Sequence, residues 1–276
     1  MNCLDKLASK VRLWVPPVLD YAFRPLLGRA VYYTGTYPNW ASARAQSSGY
    51  DDPSIMCKVL DATRTVKLGK AAFERDSVLF EVPAYPFELL ATLLRVAVEF
   101  EGHLSVLDFG GSLGSSYYQC RRFLTVLKDI KWGVVEQKHF VDCGRAEFED
   151  GSLLFFESSS ACVEAIHPKV VVLSSVLQYL ESPINVLNEL IRYKCRYLII
   201  DRSPFSDMKR SFLTVQHVPK KIYKASYPSW IFTREDLRTQ MATHYELIAE
   251  FESHDGWAKA GGIRFSYGGM IFRCRD

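Results

Sequence analysis

Val106-Leu107-Asp108-Phe109-Gly110-Gly111-Ser112-Leu113-Gly114 is the stretch that decides the fold. An apolar run over residues 104–109 ends in an acidic residue and two glycines, and a helical pattern follows over 114–127. Apolar strands without polar alternation are buried on both faces, as in parallel sheets covered by helices. Glycines at the strand end permit a tight turn and let a ligand approach the backbone closely. The helix behind them offers free N–H groups to a polar ligand.

The same unit recurs downstream. A second apolar run over 132–135 ends at Glu136, and a third over 153–156 ends at Glu157. A fourth over 170–173 ends at Ser174-Ser175, a helical stretch covers 184–193, and a fifth run over 197–200 ends at Asp201. A helix over 233–241 precedes two strands, 245–251 and 265–272, joined by a loop around 256–262 and expected to form an antiparallel hairpin. Strands alternating with helices predict a doubly wound α/β sheet. Upstream, residues 86–101 and 53–63 read as helices, whereas 26–50, rich in Gly, Ser, Tyr and Asn, predict ordered loops and short helices rather than a sheet. The expected organisation is a helical and loop-rich N-terminal extension or lid over 1–85. An α/β domain over 86–276 follows, with an insertion at about 202–230.

Composition sets outer bounds. The 276 residues are 48% hydrophobic and 24% charged, which excludes a disordered, collagenous or coiled-coil chain. The longest charge-free apolar run, 170–180, is too short to span a bilayer. Residues 1–6 lack the apolar core of a signal peptide. Seven scattered cysteines without a Cys-x-x-Cys pair argue against a disulfide framework or structural zinc and point to a reducing cytoplasm. The histidines are equally dispersed, so no metal site is expected. The net charge of +3 does not require nucleic acid.

A dinucleotide fingerprint needs glycines spaced G-x-G-x-x-G. Counted from Gly110, Ser112 and Ser115 occupy two of the three glycine positions. A carboxylate at Asp108 would also crowd a pyrophosphate, whereas it suits a ligand carrying an ammonium group. A nucleotide-dependent oxidoreductase is therefore disfavoured.

Asp108 to Gly114 resembles motif I, D-x-G-x-x-x-G, of the class I S-adenosylmethionine-dependent methyltransferases, with Ser112 where a further glycine is common. The resemblance covers about 105–275 and implies a Rossmann-like, seven-stranded, mostly parallel sheet with an antiparallel C-terminal hairpin. It implies that Asp108, Gly110, Gly111, Ser112 and Gly114 line an S-adenosylmethionine site. Glu136, with Gln137 beside it, would bond the ribose hydroxyls, and Glu157 would lie near the adenine. Ser174 and the segment to Tyr179 would lie beside the transferable methyl. Tyr33-Thr34-Gly35-Thr36-Tyr37, Glu74-Arg75-Asp76-Ser77-Val78 and Ser226-Tyr227-Pro228-Ser229-Trp230-Ile231-Phe232 add a resemblance to a group of uncharacterised bacterial methyltransferase-type proteins, often associated with surface-polysaccharide synthesis. The Asp/Asn-Pro-Pro-Tyr and Pro-Cys signatures of nucleobase methylation are missing.

The acceptor is less legible. From 202 to 224, Arg202, Lys209, Arg210, Lys220, Lys221 and Lys224 stand against Asp207 alone. Such an insertion is either a solvated loop or a basic lid that attracts an anionic, sugar-like acceptor. Tyr223, Tyr227, Trp230 and Phe232 accompany the charges, and Tyr33, Tyr37, Trp40 and Tyr50 stand in the N-terminal part. Such rings stack on sugars or simply anchor loops. If a hydroxyl is methylated, a base must take its proton. His217, whose ordinary pKa is nearest neutrality, is the first candidate, beside Asp201, Tyr179 and Tyr227. A non-catalytic module that binds the cofactor or its product is the alternative. The basic and apolar stretch 10–27, interrupted by Pro16-Pro17, argues weakly for contact with a membrane surface.

Overall fold

The computed structural model describes residues 31–49, 53–219 and 225–275. Tyr50, Tyr223, Lys220, Lys221, Lys224 and the stretch 10–27, singled out above, lie outside the described residues. The chain opens with strand β1 (Tyr32–Tyr37), helix α1 (Trp40–Arg44), helix α2 (Pro53–Lys67) and a hairpin of β2 (Phe73–Arg75) and β3 (Val78–Phe80). Helix α3 (Phe87–Glu99) leads to β4 (His103–Phe109), α4 (Ser115–Leu124), β5 (Asp129–Val135), α5 (Lys138–Glu147), β6 (Leu153–Phe156), α6 (Ser159–Ile166) and β7 (Val170–Ser174). A 3-10 turn (Leu177–Tyr179), α7 (Pro183–Arg192) and β8 (Tyr197–Phe205) follow. Strands β9 (Phe212–His217) and β10 (Ser226–Ile231), helix α8 (Arg234–Met241), and the pair β11 (Tyr245–Ala260) and β12 (Ile263–Cys274) complete it.

The five apolar runs form β4 to β8. Their side chains alternate between two cores, as the period of a strand requires. Val106, Val170 and Val172 face a core shared with α2, α3, α4 and α5, through Val59, Leu93, Tyr118 and Phe140. Leu107, Val171 and Leu173 face a second core with Cys162 of α6, Leu187 of α7 and Leu237 of α8. The sheet is covered on both faces, as the continuous apolar runs predict.

One ten-stranded sheet runs in the order β10-β9-β1-β11-β12-β8-β7-β4-β5-β6. From β6 to β8 every pair is parallel, and β12 enters antiparallel between β8 and β11. These seven strands are the Rossmann-like sheet with an antiparallel hairpin that the sequence resemblance implies. The strand order reverses between β4 and β7, and ligands of open α/β sheets bind at the carboxyl ends of such strands. Asp108 to Gly114 and Ser174 to Tyr179 both leave the sheet there.

Three expectations need correction. Residues 26–50 are not free of sheet, because Tyr32–Tyr37 is a strand between β9 and β11. Only Tyr33 of its six side chains is buried, so the alternation that marks a strand is muted. The basic insertion is not a plain loop. Its β9 and β10 pair antiparallel, with Gln216 opposite Tyr227, and together with β1 they extend the sheet beyond seven strands. The loop expected at 256–262 shrinks to a turn at Gly261-Gly262. The terminal strands remain paired to Ala260 and Ile263 across an irregularity between Glu252 and Trp257.

Candidate functional site

The end of β4 is built around glycine. Gly110 has φ +71°, and a Cβ there would lie 2.3 Å from Val176 Cγ2. A Cβ on Gly111 would lie 2.5 Å from Asp108 Oδ2. The turn therefore packs directly under the segment after β7, with no room for a side chain at either position. Gly114, at φ +91°, starts α4 without a side-chain cap, leaving first-turn N–H groups unclaimed by a capping side chain.

Asp108 is buried, and its Oδ2 accepts from Trp132 Nε1 at 2.9 Å. Its Oδ1 has no hydrogen-bond partner. Burial pushes the carboxyl up to about 7; the Trp132 bond opposes the rise, and Glu136 and Asp201 reinforce it. An unmatched buried carboxylate oxygen costs about 1–3 kcal/mol, so a cationic donor brought beside it is favoured.

Glu136 stands at the end of β5. Its Oε1 accepts from the Ser112 N–H at 3.3 Å and its Oε2 from the Gln137 N–H at 2.8 Å. Burial raises its pKa against those two bonds. The carboxylate thus faces the glycine turn in a fixed orientation, with lone pairs left for a diol. Gln137 contributes its backbone, and its side chain is exposed. Glu157 is exposed at the rim and pairs with Lys138 at 3.7 Å. Ser158 caps α6, accepting from Ala161 N–H at 3.2 Å.

At the end of β7, Ser174 Oγ donates at 2.9 Å to Oδ2 of Asp201, which lies midway along β8 where the apolar run gives out, the strand itself continuing to Phe205. Burial raises the Asp201 carboxyl against the Arg202 charge and the Ser174 bond. Tyr179 donates to Gln216 Oε1 at 3.1 Å, and burial pushes its phenol up to about 12. Tyr33 donates to the same oxygen at 3.0 Å and also bonds the Tyr267 hydroxyl. Gln216 Nε2 donates to Tyr227 at 3.3 Å.

His217 lies next to Gln216 on β9, so its ring points to the opposite face of the sheet. It stacks on Tyr32 at 4.6 Å, and its Nε2 hydrogen-bonds Thr34 Oγ1 at 2.8 Å. Burial lowers its pKa. The structure brings Asp108, Glu136, Ser174 and Asp201 to one edge of the sheet and leaves His217 facing away from Tyr179.

Sequence reasoning missed the clasp made by the β2–β3 hairpin. Buried Glu74 accepts from the Ser77 N–H at 3.1 Å and from Ser115 Oγ, tying the hairpin to the first turn of α4. Arg75 pairs with Asp255 at 3.3 Å, while Arg202 pairs with Asp255 at 3.1 Å and Asp76 at 3.7 Å. Thus Arg202, expected within a basic lid, is neutralised. Arg210 lies near Asp236, and Lys209 is exposed. The quoted Glu74-Arg75-Asp76 run was the only signal of the clasp. Gln216 carried none.

A groove of ≈ 740 Å³ between α7 and α8 holds none of the expected catalytic or cofactor residues, although Trp230 and Phe232 of the aromatic set stand in its wall with Asp236. Among the described residues no cluster of His, Cys, Asp and Glu fits a metal ion, and no helix is long and apolar enough to cross a membrane.

No family model and no curated protein matches the chain. Solved structures with a similar fold include the N-terminal domain of EvdMO1 in the presence of SAH and D-fucose. It is 12% identical with a TM-score of 0.46, over 81% of this chain and 100% of that one. CalS10, an amino pentose methyltransferase from Micromonospora echinaspora, is 12% identical with a TM-score of 0.43, over 70% and 92%. The 1,6-didemethyltoxoflavin-N1-methyltransferase of Burkholderia thailandensis is 14% identical with a TM-score of 0.44, over 83% and 93%. The residues of the site, not these likenesses, carry the reading below.

Proposed function

We propose that the chain is an S-adenosylmethionine-dependent methyltransferase acting on a hydroxyl of a small, sugar-like acceptor. Asp108 is the observation that carries this: a buried carboxylate with one oxygen unpartnered, set against a turn that excludes any side chain at Gly110 and Gly111. When bound, S-adenosylmethionine supplies an ammonium group, a ribose diol and an electrophilic methyl. Asp108 Oδ1 would accept from the ammonium, Glu136 from the diol, and the α4 N-terminus would favour the carboxylate. Exposed Glu157 and the Ser158 backbone stand at the rim where an adenine would rest. A pyrophosphate at the glycine turn would instead meet the Asp108 carboxylate, which disfavours a dinucleotide.

The protein's part in methyl transfer is position and proton removal. Asp201 is the group we place as base. Its carboxyl is raised by burial, which makes it a stronger proton acceptor than an ordinary aspartate. Ser174 holds it in place, and Tyr179, whose one proton goes to Gln216 Oε1, orients the acceptor by accepting a hydrogen bond from an acceptor hydroxyl. His217 is given no step. Labelled methyl transfer from S-adenosylmethionine to a panel of free and nucleotide-linked sugars tests the proposal. The expected result is labelled product from wild type and at least about 100-fold less from Asp201→Asn with S-adenosylhomocysteine binding retained. No product from a protein that binds S-adenosylhomocysteine would favour the binding-module alternative.

A further inference from the structure

Four phenols from four separate segments meet in one network, three of them on a single amide and the fourth through Tyr33. Tyr33 comes from β1, Tyr179 from the turn after β7, Tyr227 from β10 and Tyr267 from β12. Tyr33, Gln216 and Tyr227 are lateral neighbours on one face of three adjacent strands. The Gln216 side chain bonds Tyr33, Tyr179 and Tyr227 at once, and Tyr33 passes the network on to Tyr267. Burying that many polar atoms costs desolvation, and apolar rings would fill the space at less cost. The Tyr179 turn also carries Val176, which packs over Gly110. The network therefore adjoins the glycine turn where the donor is placed.

Its charge environment is specific. Burial raises the phenols of Tyr33, Tyr179 and Tyr267, so all three are neutral near pH 7. Among the described residues, Arg202 is paired with Asp255 and Asp76, Arg75 is paired with Asp255 through its Nη1 while its buried Nε has no partner, and Asp201 adds a third carboxyl against the two cations. A carboxylate or phosphate entering here would shed its water and meet two guanidinium groups already outnumbered by the carboxyls of Asp76, Asp201 and Asp255. A neutral polyol would exchange its water bonds for phenol and amide groups and lay a ring face against tyrosine.

We propose that the Gln216–tyrosine network is the acceptor-selecting surface and takes an uncharged, hydroxyl-rich ring in preference to a uronate or a phosphorylated sugar. It rests on the methyltransferase reading for the place of the donor. Gln216 is a positioning residue, holding three phenols in register, and Tyr179 follows by three residues the Val176 that packs over the glycine turn.

Saturation-transfer NMR on the full chain, with and without S-adenosylhomocysteine, tests it using matched methyl hexosides and methyl hexuronides. Saturation of at least one hexoside is expected to exceed that of its hexuronide about threefold or more. It should fall about fivefold in Gln216→Leu and in the milder Tyr179→Phe, with S-adenosylhomocysteine affinity unchanged within about twofold. Equal or stronger saturation of the hexuronides, or silence from both sugars, overturns the proposal. Hexoside saturation in a protein that fails to bind S-adenosylhomocysteine would sink the methyltransferase reading and leave the network standing as a sugar site.

Discussion

Replacing Asp108 by Asn separates the cost of the site to the fold from its use to the ligand. Asn preserves an oxygen for the Trp132 N–H, 2.9 Å away in the wild type, and removes the charge. The wild-type carboxyl ordinarily titrates at 3.8 and is held here at about 7. A raised acid in the folded state contributes stability that is fully present below the unfolded pKa and lost as pH rises through the folded one. Stability from this group is therefore complete below about 3.8 and gone above about 7. Asn does not titrate. The unfolding free energy of the variant, minus that of wild type, should grow by roughly 2–3 kcal/mol between about pH 5 and about pH 8. Urea denaturation at the two pH values measures it, and the common slope against denaturant checks that the unfolded states match. The same variant should lose about 30- to 100-fold in S-adenosylhomocysteine affinity, the loss of one charge-assisted bond. A pH-independent difference, or one that shrinks toward high pH, would refute the burial argument for Asp108.

Glu136→Ala should weaken S-adenosylhomocysteine binding about tenfold or more by calorimetry, with the melting curve little changed, because the carboxylate bonds only backbone N–H groups of its own surroundings. Gly110→Ala combines a φ of +71° with a 2.3 Å approach to Val176, so it should destabilise by about 1–3 kcal/mol and reduce binding. An unchanged melt would show that the Val176 turn yields freely. His217→Gln should leave turnover and affinity within about twofold, since its ring sits on the far face with Tyr32 and Thr34. A large loss of turnover would return His217 to the chemistry.

The doubly wound core was legible because its strands are buried on both faces. Val170 to Leu173 can be read only as a covered strand, and each such run ends on the polar residue that the sheet then presents: Asp108, Glu136, Ser174, Asp201. Beyond β11 in the sheet the signal fades for physical reasons. β1 buries one side chain in six, so its pairing is fixed by neighbours far away in sequence rather than by its own pattern. In the insertion the lysines and arginines drew the eye to charge, while Leu213 to His217 quietly formed a ladder between β1 and β10. Gln216 has no local signature at all. Its role exists only once Tyr33 and Tyr227 stand beside it. Likewise nothing in the spacing announced that Asp76 and Asp255 would neutralise Arg202, one of the six cations counted in the insertion.

Calorimetric titration of the purified chain with S-adenosylhomocysteine and, separately, with NAD tests the central claim most directly. The account predicts micromolar binding of the first and none of the second. Binding of NAD, or no binding of S-adenosylhomocysteine to a folded protein, would contradict the reading of Asp108 to Gly114 on which the proposed activity depends.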